Sequence, residues 1–216
     1  MWYKVKKIYV GTTKVRPYHF NPTSSTVLYY PFETDQLDKV WSSSIAVTGS
    51  KQTLGYTFNS SSNIAINTPP TTCRFVSYWI KYNSSNWNYT QWPYTYIWQM
   101  LYNFKHSLTY LNQAFQYHST YRWNTGLEYP HSSAQSTSTW NWYYMAYWTD
   151  WSKVYAYLNW NKVWEATITP WLDSNTVMNL WNQINMTISD LIWEKRVWTA
   201  TEVSNYYNQT KANYWL

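Results

Sequence analysis

Apolar and polar residues alternate over short runs along most of the chain, and these runs recur at close intervals. From Thr26 onward the strand-like stretches are VLYYPF, SIAV, TLGYTF, NIAIN, RFVSYWIKY, YTYIWQML, WYYMAYW, KVYAYL, VWEATI and NMTISDLIW. Their aromatic and β-branched content suits a pleated, half-buried surface. Turn residues separate them at roughly 8–12-residue spacing, the pattern of a sandwich or barrel rather than of βαβ units. Helical periodicity is convincing only over residues 199–207, where Thr199 can cap the helix and Glu202 stands at the capping-box position. The pattern predicts an all-β chain closed by one short C-terminal helix.

Ahead of these runs, KKIYVGTTKVRP (residues 6–17) alternates around Gly11 and stops at Pro17, which reads as a short strand or hairpin arm. HFNPTSS (19–25) then has the chemistry of a loop or linker. The expected division is residues 1–22 as an N-terminal strand or attachment arm and residues 23–216 as the sandwich. No internal repeat of fixed period is visible, and 216 residues suit one all-β domain with a full core.

Composition sharpens this reading. The apolar share is carried by 24 Tyr and 18 Trp, and charged residues make up only 12%. Ser, Thr and Asn must therefore cover much of the surface, as in many sugar-facing and fibrous extracellular proteins. The net charge is +6, but apart from Lys4, Lys6 and Lys7 the basic residues are scattered. A nucleic-acid groove needs a basic stripe interleaved with aromatics, so no nucleic-acid partner is expected. Cys73 is the single cysteine, so burial rather than an intrachain disulfide must supply stability. No run approaches the ~20 apolar residues of a membrane span, and MWYKVKKIYV lacks the apolar centre of a secretory signal. No membrane insertion is expected, and export would follow another route, such as release with a virion by lysis.

The order of the strand motifs resembles the LamG-type jelly roll of the concanavalin A-like lectin/glucanase superfamily, as found in phage virion and tail-fibre proteins. Tyr30-Pro31-Phe32 with Asp35 and Asp38 is similar to that family's opening, TFNSSSNIAI (57–66) to its small-polar strand, and RFVSYWIK (74–81) to its Trp-bearing strand. NWYYMAYWTDWSKVYAYLNWNKV (141–163) resembles its paired strands, and ISDLIWEKRVWTATEVSNYY (188–207) its closing strand and short helix. The resemblance implies a two-sheet antiparallel jelly-roll sandwich over roughly residues 26–210. It also implies calcium at the sandwich rim, with Asp35 and Asp38 as candidate ligands.

The chain departs from that family at its turns. Asp150-Trp151 and Asn159-Trp160 stand where the family shows Asp-Gly and Asn-Gly, and Trp171 and Trp181 fall where small turn residues are expected. Two-residue hairpin turns of this kind are expected to need positive φ at both central positions, which costs a tryptophan ~1–2 kcal/mol. Only four glycines are present, against about fifteen at ordinary usage. Two readings stand: turns of another type whose indoles pack over a sheet edge or interface, or UGA codons read as glycine. Trp79, Trp142 and Trp193 lie inside strands and are expected to be genuine core or face residues.

Catalytic machinery is not visible. Glycosidases of this superfamily set carboxylates at alternating positions on one strand, about 5–5.5 Å apart when the reaction retains configuration. Among the ten acidic residues only Glu33 and Asp35 have that spacing, and they precede a loop-like stretch. His19, His106, His118 and His131 are dispersed, and no phosphate-binding or nucleophile-elbow motif occurs. Binding chemistry is easier to supply. YNSSNWNYTQWPYTYIW (82–98) combines aromatic faces with amides, so Trp87, Tyr89, Trp92, Tyr94, Asn86 and Asn88 are candidate glycan contacts, the alternative being an aromatic core with a protein interface.

The function expected from sequence and resemblance together is a non-catalytic glycan- or surface-binding adhesion module of a phage virion: tail fibre, head fibre or decoration protein. Its partners would be a cell-surface polysaccharide or glycan, virion proteins reached through residues 1–22, and further copies of itself in a homo-oligomer. It would sit on a virion or extracellular surface. A purely structural virion subunit without ligand is the first alternative, and a polysaccharide depolymerase acting through Glu33 or Asp35 the second.

Overall fold

The computed structural model describes residues 8–10, 13–15, 20–31, 45–47, 50–52, 54–58, 63–67, 75–83, 94–99, 104–111, 114–120, 135–136, 138, 140–150, 152–167, 177–181 and 186–215. Among the described residues, strands β1 (Ile8–Val10) and β2 (Thr13–Val15) pair only with each other, as an antiparallel hairpin. The remaining strands form the two antiparallel sheets of a jelly-roll sandwich. One comprises β3 (Thr26–Tyr30), β5 (Ser50–Lys51), β6 (Tyr56–Phe58), β8 (Phe75–Tyr82), β13 (Trp142–Thr149), β14 (Lys153–Leu158), β15 (Asn161–Thr167) and β17 (Met186–Glu194). The other comprises β4 (Ile45–Val47), β7 (Asn63–Asn67), β9 (Tyr94–Gln99), β10 (Phe104–Leu111), β11 (Ala114–Thr120), β12 (Gln135–Ser136) and β16 (Val177–Trp181). The only α-helix among the described residues is α1 (Ala200–Thr210), followed by a 3-10 turn over Lys211–Tyr214.

The sequence MTISDLIWE makes β17 the centre of its sheet. All nine residues are buried, as expected of a strand covered on both faces. One edge of β17 pairs along β8, while the other pairs first with β6 and then with β3. The exchange occurs at Asp190, whose φ of 49° breaks the register between Ser189 and Ile192. Gly55 is required just beside this point. With φ 92°, it lies so close to the Ile188 carbonyl that a Cβ would overlap the oxygen.

Strand alternation sorts the eight-stranded sheet into two layers. Tyr29, Phe75, Trp79, Trp142, Tyr144, Trp148 and Ile192 share one buried cluster with Trp198, Val203, Tyr206, Tyr207 and Tyr214 of the C-terminal segment. The helix thus covers one face of the sheet with an almost wholly aromatic layer. Trp79 is fully buried and stacks on Tyr214 at 4.2 Å and on Tyr207 at 5.7 Å between ring centroids. Phe75 stacks on Trp198 at 4.3 Å. Residues of opposite parity, such as Val76, Tyr78, Ile80, Leu191 and Trp193, are buried on the other face.

The helix start is built as its sequence predicts. Thr199 Oγ1 accepts from the Glu202 amide at 3.2 Å, and Glu202 Oε2 accepts from the Thr199 amide at 2.8 Å, closing the capping box. Just before it, buried Glu194 ties the start of β3 to the segment that leads into α1. Its carboxylate accepts from Thr26 Oγ1 at 3.0 Å and from the Trp198 indole N–H, and it forms an ion pair with Arg196 Nε at 3.1 Å. Upstream, Phe20 packs against Tyr29 at 5.2 Å and Trp198 at 5.9 Å. A residue placed by sequence in the arm therefore belongs to the aromatic layer.

The hairpin turns correct one expectation. In the β14–β15 turn, where Leu158 pairs with Asn161, Asn159 has φ 58° and Trp160 has no positive φ. Positive φ falls on Asn159, whose short polar side chain tolerates it, so Trp160 carries no such strain. Asn159 also locks the tip: its Oδ1 accepts from the Tyr144 amide at 3.0 Å, and its own amide donates to the Tyr144 carbonyl. Trp151 and Trp171 lie outside the described residues, and Trp181 ends β16. Trp79, Trp142 and Trp193 are buried in strands, as expected.

Candidate functional site

At one end of the eight-stranded sheet, the register that sets Trp142 opposite Lys81 brings β13 and β8 beside the end of the chain. A cavity of about 520 Å³ opens there. Lys81 and Trp142 come from the strands, Trp140 and Asn141 from the turn before β13, Gln52 and Leu54 from the turn before β6, and Tyr214 and Trp215 from the C-terminal turn.

Its floor is rigid. Tyr214 is 2% exposed, lies 4.8 Å from Trp142, and donates through its hydroxyl to Asp190 Oδ2 at 2.6 Å. That bond connects the floor to the bulge at which β17 exchanges partners. Lys81 Nζ stands 5.3 Å from the centre of the Trp142 ring, and partial burial lowers its pKa. The polar lining is completed by Gln52, which is exposed, and by Asn141, whose amide donates to Ser138 Oγ at 2.6 Å. Above the floor, Trp140 and Trp215 form an indole rim, 64% and 76% exposed. Such a space suits a small polar ligand with apolar faces, held by aromatic walls and a few directed donors and acceptors.

Among the described residues, the lining contains no carboxylate. The described acidic residues are held elsewhere. Asp150 organises the β13–β14 turn; burial would raise its pKa, but bonds from the Ser152 hydroxyl, the Lys153 and Ser152 amides and the Tyr155 hydroxyl hold it at about 2. Glu165 bridges Lys153 and Lys162, Asp190 and Glu194 are the buried acceptors described above, and Glu202 caps the helix and meets Arg196. Among the described residues no group of three His, Cys, Asp or Glu could hold a metal ion.

This site differs from the one expected from sequence. Trp87, Tyr89, Trp92, Asn86 and Asn88 lie outside the described residues, as do the calcium candidates Asp35 and Asp38 and the pair Glu33/Asp35. Tyr94 opens β9, with its backbone paired to Thr109 of β10. A local signal for the observed site was present: Trp140-Asn141-Trp142 and Asn213-Tyr214-Trp215 mix indoles and amides as the 82–98 stretch does.

No protein-family model and no curated protein matches the chain. Solved structures do. The binding domain of botulinum neurotoxin DC in complex with rat synaptotagmin II matches with TM-score 0.67 and 14% identity, over 86% of this chain and 52% of that one. The same domain in complex with SialylT matches with TM-score 0.66 and 14% identity, over 86% and 51%. The binding domain of Paraclostridial Mosquitocidal Protein 1 matches with TM-score 0.64 and 13% identity, over 85% and 52%. The chain thus spans about half the length of these structures, and the likeness is one of fold. The class it defines is the two-sheet jelly-roll sandwich.

Proposed function

We propose that this chain is a non-catalytic glycan-binding adhesion module whose sugar site is the cavity at the Trp142 end of the eight-stranded sheet. The observation that carries the reading is the lining itself: Lys81, Gln52 and Asn141 set over the aromatic floor of Trp142 and Tyr214, with no carboxylate among them. Sugar hydroxyls need directed donors and acceptors, while the C–H faces of the ring favour aromatic surface. A glycosidase needs an acid and a base or nucleophile at the bond it breaks, and the described lining residues provide neither. The solved neighbours give support, since one was determined with SialylT and another belongs to botulinum neurotoxin type C, whose cell entry is dependent upon interaction with two ganglioside molecules.

The ordered LamG-like motifs support a place on a phage virion or other extracellular surface. The β1–β2 hairpin, paired among the described residues only with itself, would then be the attachment arm, with Phe20 already part of the sandwich. A glycan array carrying neutral and acidic cell-surface saccharides tests the sugar site. The intact chain is expected to retain a defined subset, and Gln52→Ala with Asn141→Ala to weaken that binding about tenfold or more without lowering the melting temperature. An array with no retained saccharide, together with stable homo-oligomers by light scattering, would replace this reading with that of a ligand-free structural subunit.

A further inference from the structure

We propose that positions 140 and 215 carry glycine in the protein the cell makes, the codon behind each written tryptophan being a UGA decoded as glycine. The observation is backbone geometry. Among the described residues positive φ occurs at Gly55, Trp140, Asn159, Asp190 and Trp215. Glycine reaches this region without penalty, and Asn and Asp tolerate it through their short polar side chains. For a bulky residue it is a genuine outlier, yet Trp140 has φ 70° and Trp215 has φ 69°.

Position 215 is a recognisable helix stop. It follows the 3-10 turn with φ 69° and ψ 31°, and its amide donates to the Lys211 carbonyl. This left-handed position after a helix is usually glycine. Position 140 is the turn that leads into β13. At neither place does the indole gain burial that would offset the strained backbone, being 64% exposed at 140 and 76% at 215. Trp79, Trp142, Trp148, Trp193 and Trp198 are the reverse case: each is buried and none has positive φ. Trp160 is exposed at a turn but makes no such demand on its backbone.

The total of four glycines fits this assignment, and so does the choice of written residue, since UGA is read as tryptophan in some genetic codes and as glycine in others. The consequence for the cavity is direct. Glycine at 140 and 215 removes the indole rim and uncovers the Trp142 and Tyr214 floor, so the polar groups Lys81, Gln52 and Asn141 face a wider cleft. The glycan reading rests on those groups and that floor, and it stands or falls separately.

Tandem mass spectrometry of peptides from the chain isolated from its native source tests the proposal. Glycine at 140 and 215 alongside tryptophan at 79, 142 and 193 is the expected result; tryptophan at 140 and 215 overturns it. A second measurement compares melting temperatures of the chain as written and of Trp140→Gly/Trp215→Gly. The double variant is expected to melt higher by roughly 2–6 °C, and an equal or lower value would contradict the backbone argument.

Discussion

Trp79 and Trp215 meet the same tyrosine from opposite sides of the physical problem. Trp79 is fully buried in the middle of β8 and stacked on Tyr214, whereas Trp215 follows Tyr214 directly in the chain, is 76% exposed and has a left-handed backbone. In the first place an indole contributes burial and stacking, and the extended strand holds it without strain. In the second the backbone asks for the absence of a side chain. A high tryptophan content therefore says little by itself about ligand binding; the local φ and the area each ring buries decide which tryptophans hold the sheet and helix together.

The largest expected effect comes from breaking the buried side of this comparison. Trp79→Ala removes the ring that joins β8 to Tyr207 and Tyr214, and is expected to cost about 4 kcal/mol of unfolding free energy in chemical denaturation. A loss below about 1 kcal/mol would mean that the helix does not depend on this layer. Next is Glu194→Ala, which takes the acceptor away from Thr26, Arg196 and the Trp198 indole in a buried site. A loss of about 3 kcal/mol is expected, together with earlier hydrogen exchange of β3 and α1 than of β13. Uniform exchange across the three would show that Glu194 does not join β3 to the segment before α1.

Much of the fold was legible because its signals are local. The aromatic and branched residues of RFVSYWIKY and NMTISDLIW marked β8 and β17, and Thr199 with Glu202 marked the helix start, since a capping box spans only four residues. β10 was not read as a strand because Lys105, His106 and Ser107 interrupt its apolar residues, yet it pairs along both edges with β9 and β11. The turn at Asn159-Trp160 was misjudged by requiring positive φ at both positions, when Asn159 alone supplies it.

The cavity was not legible for a different reason. Gln52, Lys81, Asn141 and Tyr214 are distant in sequence, and they meet through the Trp142–Lys81 register and the Tyr214–Asp190 bond, neither of which any single stretch encodes. Phe20 likewise gives no local sign that it belongs to the aromatic layer rather than to an arm.

The central claim is that a saccharide binds over Trp142 and Tyr214 at the end of the eight-stranded sheet. Nuclear magnetic resonance titration of the isotopically labelled chain with a saccharide retained on the array tests it most directly. Saturable shifts of the Trp142 indole N–H and the Asn141 and Gln52 side-chain amides are expected, with the Trp193 indole on the opposite face unchanged. Shifts that leave Trp142, Asn141 and Gln52 in place while saturating elsewhere would contradict it.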